Sequence, residues 1–251
     1  MYKVIVLAAM LVLGAQILCA TACITTTADF YVANYGGSSG CTIGLLMFSN
    51  FKYSIVGAST PVDPAGGLPS NEALITPLID INGVGYSFTP TVTWDSLSTG
   101  NSDVELQYIM TAIGPFTQIT GIYDEANGTI AGSNSPPNSA FLSVLDVYCP
   151  GGTSLPPATP CPGFGSVTPQ IDSDINFGST QTVTHASFPA VTTIAVLKDM
   201  DANSATGANP GTATFTSIKN QFDVITPEPG TVALFGGGLM AVWLARRHRR
   251  A

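Results

Sequence analysis

The chain has 251 residues, only 10% of them charged, and a formal net charge of −8 at pH 7. With 26 glycines and 18 prolines, the composition disfavours long helices and favours short strands joined by turns. Between residues 23 and 225 stand three lysines and fifteen acidic residues. A surface this acidic repels phosphate backbones, which excludes nucleic acid as a partner.

The first 22 residues predict a secretory signal peptide. An apolar run follows Lys3 and ends at Ala20-Thr21-Ala22, a small-x-small cleavage site. We therefore expect a signal helix that is cleaved after Ala22. A retained membrane helix is an alternative that the small-residue site opposes. A lipoprotein signal acylated at Cys23 is another, but such signals normally carry leucine where Ala20 stands.

Residues 23–225 consist of short β-like runs separated by turn residues. About eight to ten strands are expected, with no long amphipathic helix. Asn127-Gly128 is a favoured turn pair and predicts a hairpin within residues 119–133. The pattern predicts an all-β fold, a single antiparallel β-sandwich of jelly-roll-like form. The clearest alternation places four residues on one face: Val104, Leu106, Tyr108 and Met110.

Four cysteines follow the predicted cleavage site, and an even number in an exported chain implies disulfides. Three pairings are possible. We favour the local one, Cys23–Cys41 with Cys149–Cys161, because it closes short loops and staples the proline-rich second loop. Metal binding is the alternative, but the spacing fits no zinc pattern.

Signals for nucleophilic or metal catalysis are sparse. The stretch 36–40 matches G-x-S-x-G formally, but a nucleophile elbow needs a strand before it and a helix after it. Here Cys41 and a strand-like run follow, which favours a plain loop. His185 is the only histidine outside the C-terminal tail. We expect it to have a structural or surface role, because one histidine cannot build the usual multi-histidine metal site.

Acidic residues supply weak calcium candidates and no cofactor site. Asp199, Asp201 and Asn203 place oxygen ligands at i, i+2 and i+4. Asp172 and Asp174 show the same i, i+2 spacing. The glycine of an EF-hand is missing, since Ser204 stands at its position. Solvated turn carboxylates are the simpler interpretation, and we predict no resident metal.

Asp124 and Glu125 are adjacent and would point to opposite faces of a strand, so they do not form a glycosidase pair. Carbohydrate contacts through exposed aromatic residues remain open, with Trp94, Tyr123 and Tyr148 as candidates. At each position a core role is the competing interpretation.

The C-terminal tail joins three features in fixed order. Pro227-Glu228-Pro229 is followed by 15 apolar residues, 231–245, and then by an arginine cluster. As a helix, the apolar run would extend about 22 Å, against a hydrocarbon core of about 30 Å. This predicts a short transmembrane helix held by a cytoplasmic stop-transfer cluster, with the middle of the chain outside. The cluster consists of Arg246, Arg247, Arg249 and Arg250.

The tail resembles the PEP-CTERM sorting signal of Gram-negative bacteria. The resemblance implies that an exosortase, a membrane-embedded cysteine transpeptidase, recognises Pro227, Glu228 and Pro229 and removes the tail. Two internal stretches, 40–54 and the run from Val196 to Phe222, are similar to segments of PEP-CTERM proteins of unknown function. They imply kinship and no activity. A plain tail anchor with a chance Pro-Glu-Pro is the alternative.

These features divide the chain into a signal peptide (1–22), a β-sandwich ectodomain (23–225) and a sorting signal (226–251). We expect an exported, non-enzymatic surface or extracellular-matrix protein that is anchored in the inner membrane only in transit. Its expected partners are an exosortase-like membrane protease and, transiently, the membrane. The alternative is a secreted carbohydrate-binding or carbohydrate-processing module, with exopolysaccharide as the candidate partner.

Overall fold

The structure, a computed structural model, describes residues 21–56, 68–81, 83–92, 94–96, 101–114, 116–131, 140–156, 161, 170–172, 181–203, 212–226 and 246. The predicted signal helix up to residue 20 and the tail from Pro227 to Ala245 lie outside these ranges. Within them, no helix is long and apolar enough to cross a membrane.

Strands make up most of the described chain, together with one helix. In chain order they are β1 (Thr21–Ala22), β2 (Thr26–Thr27), α1 (Ala28–Tyr35), β3 (Cys41–Ile43), β4 (Leu46–Val56), β5 (Ala73–Asp80), β6 (Gly83–Pro90), β7 (Trp94–Ser96), β8 (Asn101–Ala112), β9 (Gln118–Ala131), β10 (Phe141–Pro150), β11 (Gln170–Asp172), β12 (Gln181–Val191), β13 (Thr193–Asn203) and β14 (Thr212–Ile225).

The strands form two packed sheets. Sheet A has the order β1-β3-β4-β8-β13-β10-β11, and sheet B has the order β12-β9-β14-β6-β5-β2, with β7 paired to β14. Every pairing is antiparallel except the short one between β1 and β3. The predicted all-β antiparallel sandwich is therefore confirmed.

The core lies between the sheets and follows the period-2 alternation of the sequence. In β8, the four residues predicted to share one face are all fully buried. Successive side chains of a strand point to opposite faces, so these alternate residues share the face that packs against sheet B. The main partners from sheet B are Tyr86, Phe88, Ile122 and Phe222.

The helix α1 was not predicted. Its burial depends on Tyr31, which is 1% exposed, packs edge-on against Phe51 at 4.9 Å and donates a hydrogen bond to the carbonyl of Ile24 at 2.8 Å. Near its start, the Asp29 carboxylate accepts a 2.9 Å bond from the Phe30 amide, which favours a helix N-terminus. Tertiary packing rather than amphipathic pattern therefore holds this helix.

The hairpin predicted at Asn127-Gly128 is wrong. Strand β9 runs without interruption through both residues. Gly128 serves close packing and not a turn. A Cβ there would overlap the Leu142 side chain of β10 and lie 2.6 Å from the carbonyl of Thr214. The glycine thus allows β9 and β14 to approach the opposite sheet closely.

Both predicted disulfides are confirmed. Cys23–Cys41 has a Cα–Cα distance of 4.8 Å, and Cys149–Cys161 has one of 5.4 Å. The amide of Cys23 also donates to the carbonyl of Thr42 at 2.9 Å. A cut after Ala22 would thus remove the two-residue strand β1 but leave the new N-terminus held to β3 by a disulfide and a backbone bond.

Gly128→Ala should lower the free energy of unfolding by about 1–3 kcal/mol, because the added methyl group must displace core atoms. Urea unfolding followed by tryptophan fluorescence measures the change. Gly37→Ala is the matched control, since a Cβ at that position meets nothing within 4 Å. Equal unfolding midpoints for the two variants would contradict the packing role of Gly128.

Candidate functional site

Two pairs of polar residues face each other across the middle of the core. In sheet A, Asp146 of β10 and Lys198 of β13 are direct cross-strand neighbours. In sheet B, Asp124 of β9 and Asn220 of β14 are direct cross-strand neighbours. All four are fully buried, so each must find its partners inside the sandwich. We call these four residues the core cluster.

Lys198 is the hub of the core cluster. Its Nζ donates to Asp124 Oδ1 at 2.6 Å and to Asp146 Oδ2 at 3.0 Å, and lies 2.9 Å from Asp146 Oδ1. Asn220 Nδ2 donates to Asp146 Oδ2 at 2.7 Å, and the hydroxyl of Tyr108 donates to Asn220 Oδ1. The network thus connects both sheets through charge-assisted hydrogen bonds.

The core cluster contains two acidic groups but one basic group. Burial raises the pKa of Asp146 to about 7, with Lys198 lowering it and Asp124 raising it. Burial alone lowers the pKa of Lys198, but the carboxylates of Asp124 and Asp146 outweigh this effect and hold it above its ordinary value. Lys198 is therefore charged, and Asp146 is the carboxyl group that burial drives toward its neutral form.

Aromatic rings surround the core cluster. Tyr86 and Tyr108 contact each other edge-on at 5.3 Å, and Tyr108 contacts Phe222 at 6.3 Å. Burial raises the pKa of both tyrosines well above the ordinary value, so both remain neutral. The rings close the cluster to solvent, and it therefore cannot meet a diffusing ligand.

The outer side of sheet B carries the polar groups that a ligand can reach. His185 of β12 and Asp223 of β14 pair at 2.7 Å and are 45% and 38% exposed. Their side chains meet above Gly121 of β9, where a Cβ would overlap Asp223 and lie 3.0 Å from His185 Nε2. A glycine in the central strand thus lets residues two strands apart form a pair. The exposed position agrees with the surface role predicted for His185.

A second ion pair lies further along the same surface. Lys219 Nζ donates to both Glu125 oxygens, at 2.8 and 2.9 Å, and Asn127 and Tyr123 also donate to this carboxylate. Burial alone raises the pKa of Glu125, but bonds from Lys219 and Asn127 lower it below its usual value. Glu125 points outward and Asp124 inward, which confirms the opposite orientation predicted from their adjacency.

Glycines lower the surface beside these ion pairs. Gly83 and Gly85 of β6 lie next to β14, and a Cβ at either position would overlap its backbone. Gln221 Nε2 reaches across to Asp80 Oδ1 at 2.7 Å. The result is a shelf of low side chains bordered by polar ones. We call it the polar face of sheet B, formed by the partly or fully exposed Tyr123, His185, Lys219 and Asp223, whereas the Glu125 and Gln221 side chains that pair there are buried.

The calcium candidates lie on the outer side of sheet A. Asp199, Asp201 and Asn203 belong to strand β13 and not to a loop. Alternate residues of a strand are about 6.6 Å apart, so the three side chains line a row and do not curl around one ion. Among the described residues, no group of three or more histidine, cysteine or acidic side chains is arranged to hold a metal. The interpretation of this stretch as a turn was wrong.

Two carboxyl groups of this row, Asp199 and Asp201, lie opposite carboxyl groups of strand β8. Asp103 lies across from Asp201, and Glu105 across from Asp199. Partial burial, a hydrogen bond with Asp199 and repulsion from the neighbouring carboxylates raise the pKa of Asp103 to about 8. Asp103 therefore holds a proton at neutral pH.

The other predicted residues separate into core, loop and undescribed positions. Tyr148 is 5% exposed and packs against Phe188 at 5.7 Å, which makes it a core residue. The stretch 36–40 is a loop that follows a helix and precedes β3, as the sequence indicated. Trp94 lies on β7, and Asp172 ends β11 while Asp174 lies outside the described residues.

The sandwich ends beside a shallow pocket. Strand β14 stops at Ile225, and Thr226 is the last residue described before the sorting tripeptide. The pocket is lined by Phe116, Ile225, Thr226 and their neighbours. Pro227, Glu228 and Pro229 lie outside the described residues, as do Arg247, Arg249 and Arg250, whereas Arg246 is described and exposed.

The fold and the disulfides define an all-β sandwich with oxidised cysteines. Residues 226–250 match the PEP-CTERM protein-sorting motif, which confirms the resemblance of the tail. This motif supports an exported protein that is sorted by an exosortase-type enzyme and anchored in the membrane in transit. No curated protein matches the chain in sequence.

Solved structures resemble the sandwich only distantly. The enzymatically active domain of bacteriophage CBA120 tailspike protein 4 is 11% identical with a TM-score of 0.29, and the match covers 70% of this chain and 20% of that one. TmCBM61, solved with β-1,4-galactotriose, is 8% identical with a TM-score of 0.29, over 70% and 90% of the two chains. The mannan-recognising module TmCBM27 is 10% identical with a TM-score of 0.24, over 68% and 98%. These scores carry no argument about ligand or activity.

The free energy of unfolding should fall as pH rises from about 4 to about 8, and Asp103→Asn should reduce this fall. The folded chain keeps the Asp103 proton up to about pH 8, whereas the unfolded chain loses it near 3.8. Across this window the folded state binds more protons, so raising the pH destabilises it. Urea unfolding at several pH values measures the slope. Identical slopes for the variant and the parent protein would contradict the raised pKa.

Proposed function

We propose that this protein is a non-enzymatic component of the cell surface or extracellular matrix, delivered there after an exosortase-like enzyme processes its tail. The observation that carries the proposal is the PEP-CTERM motif at residues 226–250, directly after the last strand of the sandwich. A compact β domain is thus joined to a sorting signal by a few residues.

The ectodomain suits a structural role outside the cell. Two disulfides close loops of 18 and 12 residues, and such bonds persist in oxidising compartments. The core cluster, which brings acidic and basic groups into contact, is sealed from solvent and so cannot act on a substrate. These features support a displayed or matrix-embedded protein more than a catalyst.

The tail suits a transient anchor. Three consecutive glycines weaken its short apolar run as a helix, while the arginines stop translocation. Prolines at 227 and 229 prevent the tripeptide from joining a helix, and a processing enzyme binds extended segments. We infer that the tripeptide is the recognition element and that the arginine cluster holds it at the membrane.

Glu228→Ala should leave export intact but trap the full-length chain in the inner membrane, because the recognition element is lost. Cell fractionation and the intact mass of the protein from its native cell measure location and processing. As a matched control, deletion of residues 246–250 should weaken membrane retention while the tripeptide stays intact. A mature parent protein whose mass still includes Ala251 would contradict tail removal.

A second candidate function is binding of a neutral polysaccharide on the polar face of sheet B. The specific observation is the partly exposed ring of Tyr123, which lies beside the Lys219–Glu125 and His185–Asp223 pairs on a glycine-lowered shelf. Aromatic rings pack against sugar rings while nearby polar groups bind hydroxyls. The acidic character of the chain favours an uncharged glycan over an acidic one.

If this second function holds, Tyr123→Ala should weaken binding to a soluble neutral polysaccharide at least about tenfold, the loss expected for one stacked aromatic ring. Isothermal titration against a panel of glucans, mannans and galactans measures it. Phe116→Ala is the matched control, because Phe116 is a 61% exposed aromatic residue outside the polar face. Absence of saturable binding to every member of the panel would remove this candidate.

A further inference from the structure

Neither disulfide ties sheet A to sheet B. Both are local, with sequence separations of 18 and 12 residues, and both involve strands or loops of sheet A. Among the described residues, the shortest ion pair between the sheets is the 2.6 Å contact from Lys198 Nζ to Asp124 Oδ1, which joins residues 74 positions apart in the chain. A covalent bond at this point would join sheet A to sheet B, which neither disulfide of the described chain does.

We propose that Lys198 and Asp124 condense with each other, without any enzyme, to an isopeptide bond between Nζ and Cγ that links the two sheets. The inference is independent of the function proposed above. It assigns to the core cluster a self-modification site, with Asp146 as the proton carrier and Asn220 as a positioning residue.

The geometry provides the two reacting groups and the proton carrier in contact. Lys198 Nζ touches Asp124 through one oxygen and Asp146 through both, at 2.9 and 3.0 Å. Asn220 Nδ2 holds Asp146 Oδ2 at 2.7 Å, so Asp146 is oriented by a residue of the opposite sheet. Reacting groups held in contact avoid the entropic cost of a bimolecular condensation.

The reaction balances without any co-reactant. The Lys198 ammonium gives one proton to the Asp146 carboxylate, and the neutral nitrogen then attacks Cγ of Asp124 to form the C–N bond. One Asp124 oxygen leaves as water, carrying the proton relayed by Asp146 and a second proton from the nitrogen. An ammonium and a carboxylate thereby become one amide and one water, and Asp146 regains its starting state.

The buried environment favours the amide over the ion pair. With both acids ionised, the core cluster holds two negative charges and one positive charge away from water, which is costly. Condensation removes one charge of each sign and leaves only Asp146, whose raised pKa allows it to become neutral. The released water escapes when the sandwich opens locally, and the surrounding aromatic rings then keep bulk water away from the amide, which opposes hydrolysis.

Asp124, and not Asp146, is the expected acyl partner. Asp124 offers the shorter contact to Nζ and comes from the opposite sheet. Asp146 accepts from Nζ and from Asn220 through Oδ2 while its Oδ1 lies 2.9 Å from Nζ, which suits the residue that shuttles a proton. Reaction at Asn220 would release ammonia instead of water, so the lost mass separates these cases.

Trypsin digestion of the purified full-length protein, after reduction and denaturation, tests the bond directly. A free Lys198 gives peptides 53–198 and 199–219, whereas a linked Lys198 is not cleaved. We expect a single peptide, 53–219, lighter than its sequence by the mass of one water, with fragmentation spectra that join Lys198 to Asp124. Complete cleavage at Lys198 with unchanged masses would overturn the proposal.

The chain offers two matched controls. Lys219 contacts Glu125 at 2.8 Å, a similar distance, but it is 31% exposed on the polar face of sheet B, so it should be cleaved completely. Lys198→Arg keeps the positive charge and the acidic residue that follows, but it cannot form this amide, so trypsin should cleave after Arg at this position. Incomplete cleavage without a mass deficit in the parent protein would also count against the bond.

Asp146→Asn tests the proton carrier. It keeps the size of the side chain but removes the titrating group, so we expect the unlinked peptides 53–198 and 199–219 to accumulate. If this variant links as fully as the parent protein, Asp146 is not the carrier. A mass deficit of ammonia, or a link that maps to Asp146 or Asn220, would overturn the assignment to Asp124. Because the parent protein alone decides whether the bond exists, poor folding of a variant does not affect that result.

Discussion

The structure depends on one buried positive charge, the ammonium of Lys198, held between carboxylates from both sheets. A buried ion pair adds little net stability compared with apolar packing, but an unpaired buried charge costs several kcal/mol. Only one relative placement of β9, β10, β13 and β14 brings the partners together. A slip of β13 by one residue would turn Lys198 outward and bring Asp199 into the core. The core cluster therefore specifies the register of both sheets.

The outer sides of the two sheets carry different charges. They can do so because the contacts that hold the sheets together lie in the core. The outer side of sheet A carries a row of carboxyl groups, so close that Asp103 retains its proton near neutral pH. The outer side of sheet B balances its charges in the Lys219–Glu125 and His185–Asp223 pairs. The domain thus has one acidic side and one mixed polar side, and its sorting motif supports export.

The local sequence pattern predicted the structure correctly where the structure depends on one strand or one loop alone. Alternation in β8 predicted which residues are buried, and short spacing predicted the disulfide between Cys149 and Cys161. It failed where a neighbouring strand decides. Asn127-Gly128 has the composition of a turn, yet Leu142 and Thr214 require a glycine at that point of a continuous strand. Asp199 and Asp201 have the spacing of a calcium loop, yet pairing with β8 and β10 holds them extended.

The core cluster had a signal in the sequence that composition did not reveal. Asp146 and Lys198 each occupy an inward position in an alternating apolar strand, between Val144 and Tyr148 and between Val196 and Met200. A charge at such a position predicts a buried partner, but not which one, because the partner lies tens of residues away on another strand.

The sequence by itself determined the all-β class, the local disulfides and the sorting tail. The fold class and the disulfides follow from short-range physics, namely side-chain alternation and loop closure over a few residues, whereas the tail was identified by its resemblance to a known sorting signal. Only the tertiary structure decided that Asp124 and Lys198 meet, that His185 reaches Asp223 over Gly121, and that α1 packs on β4. These contacts are set by strand order and sheet-on-sheet packing, which depend on the free energy of the whole core and on no single segment.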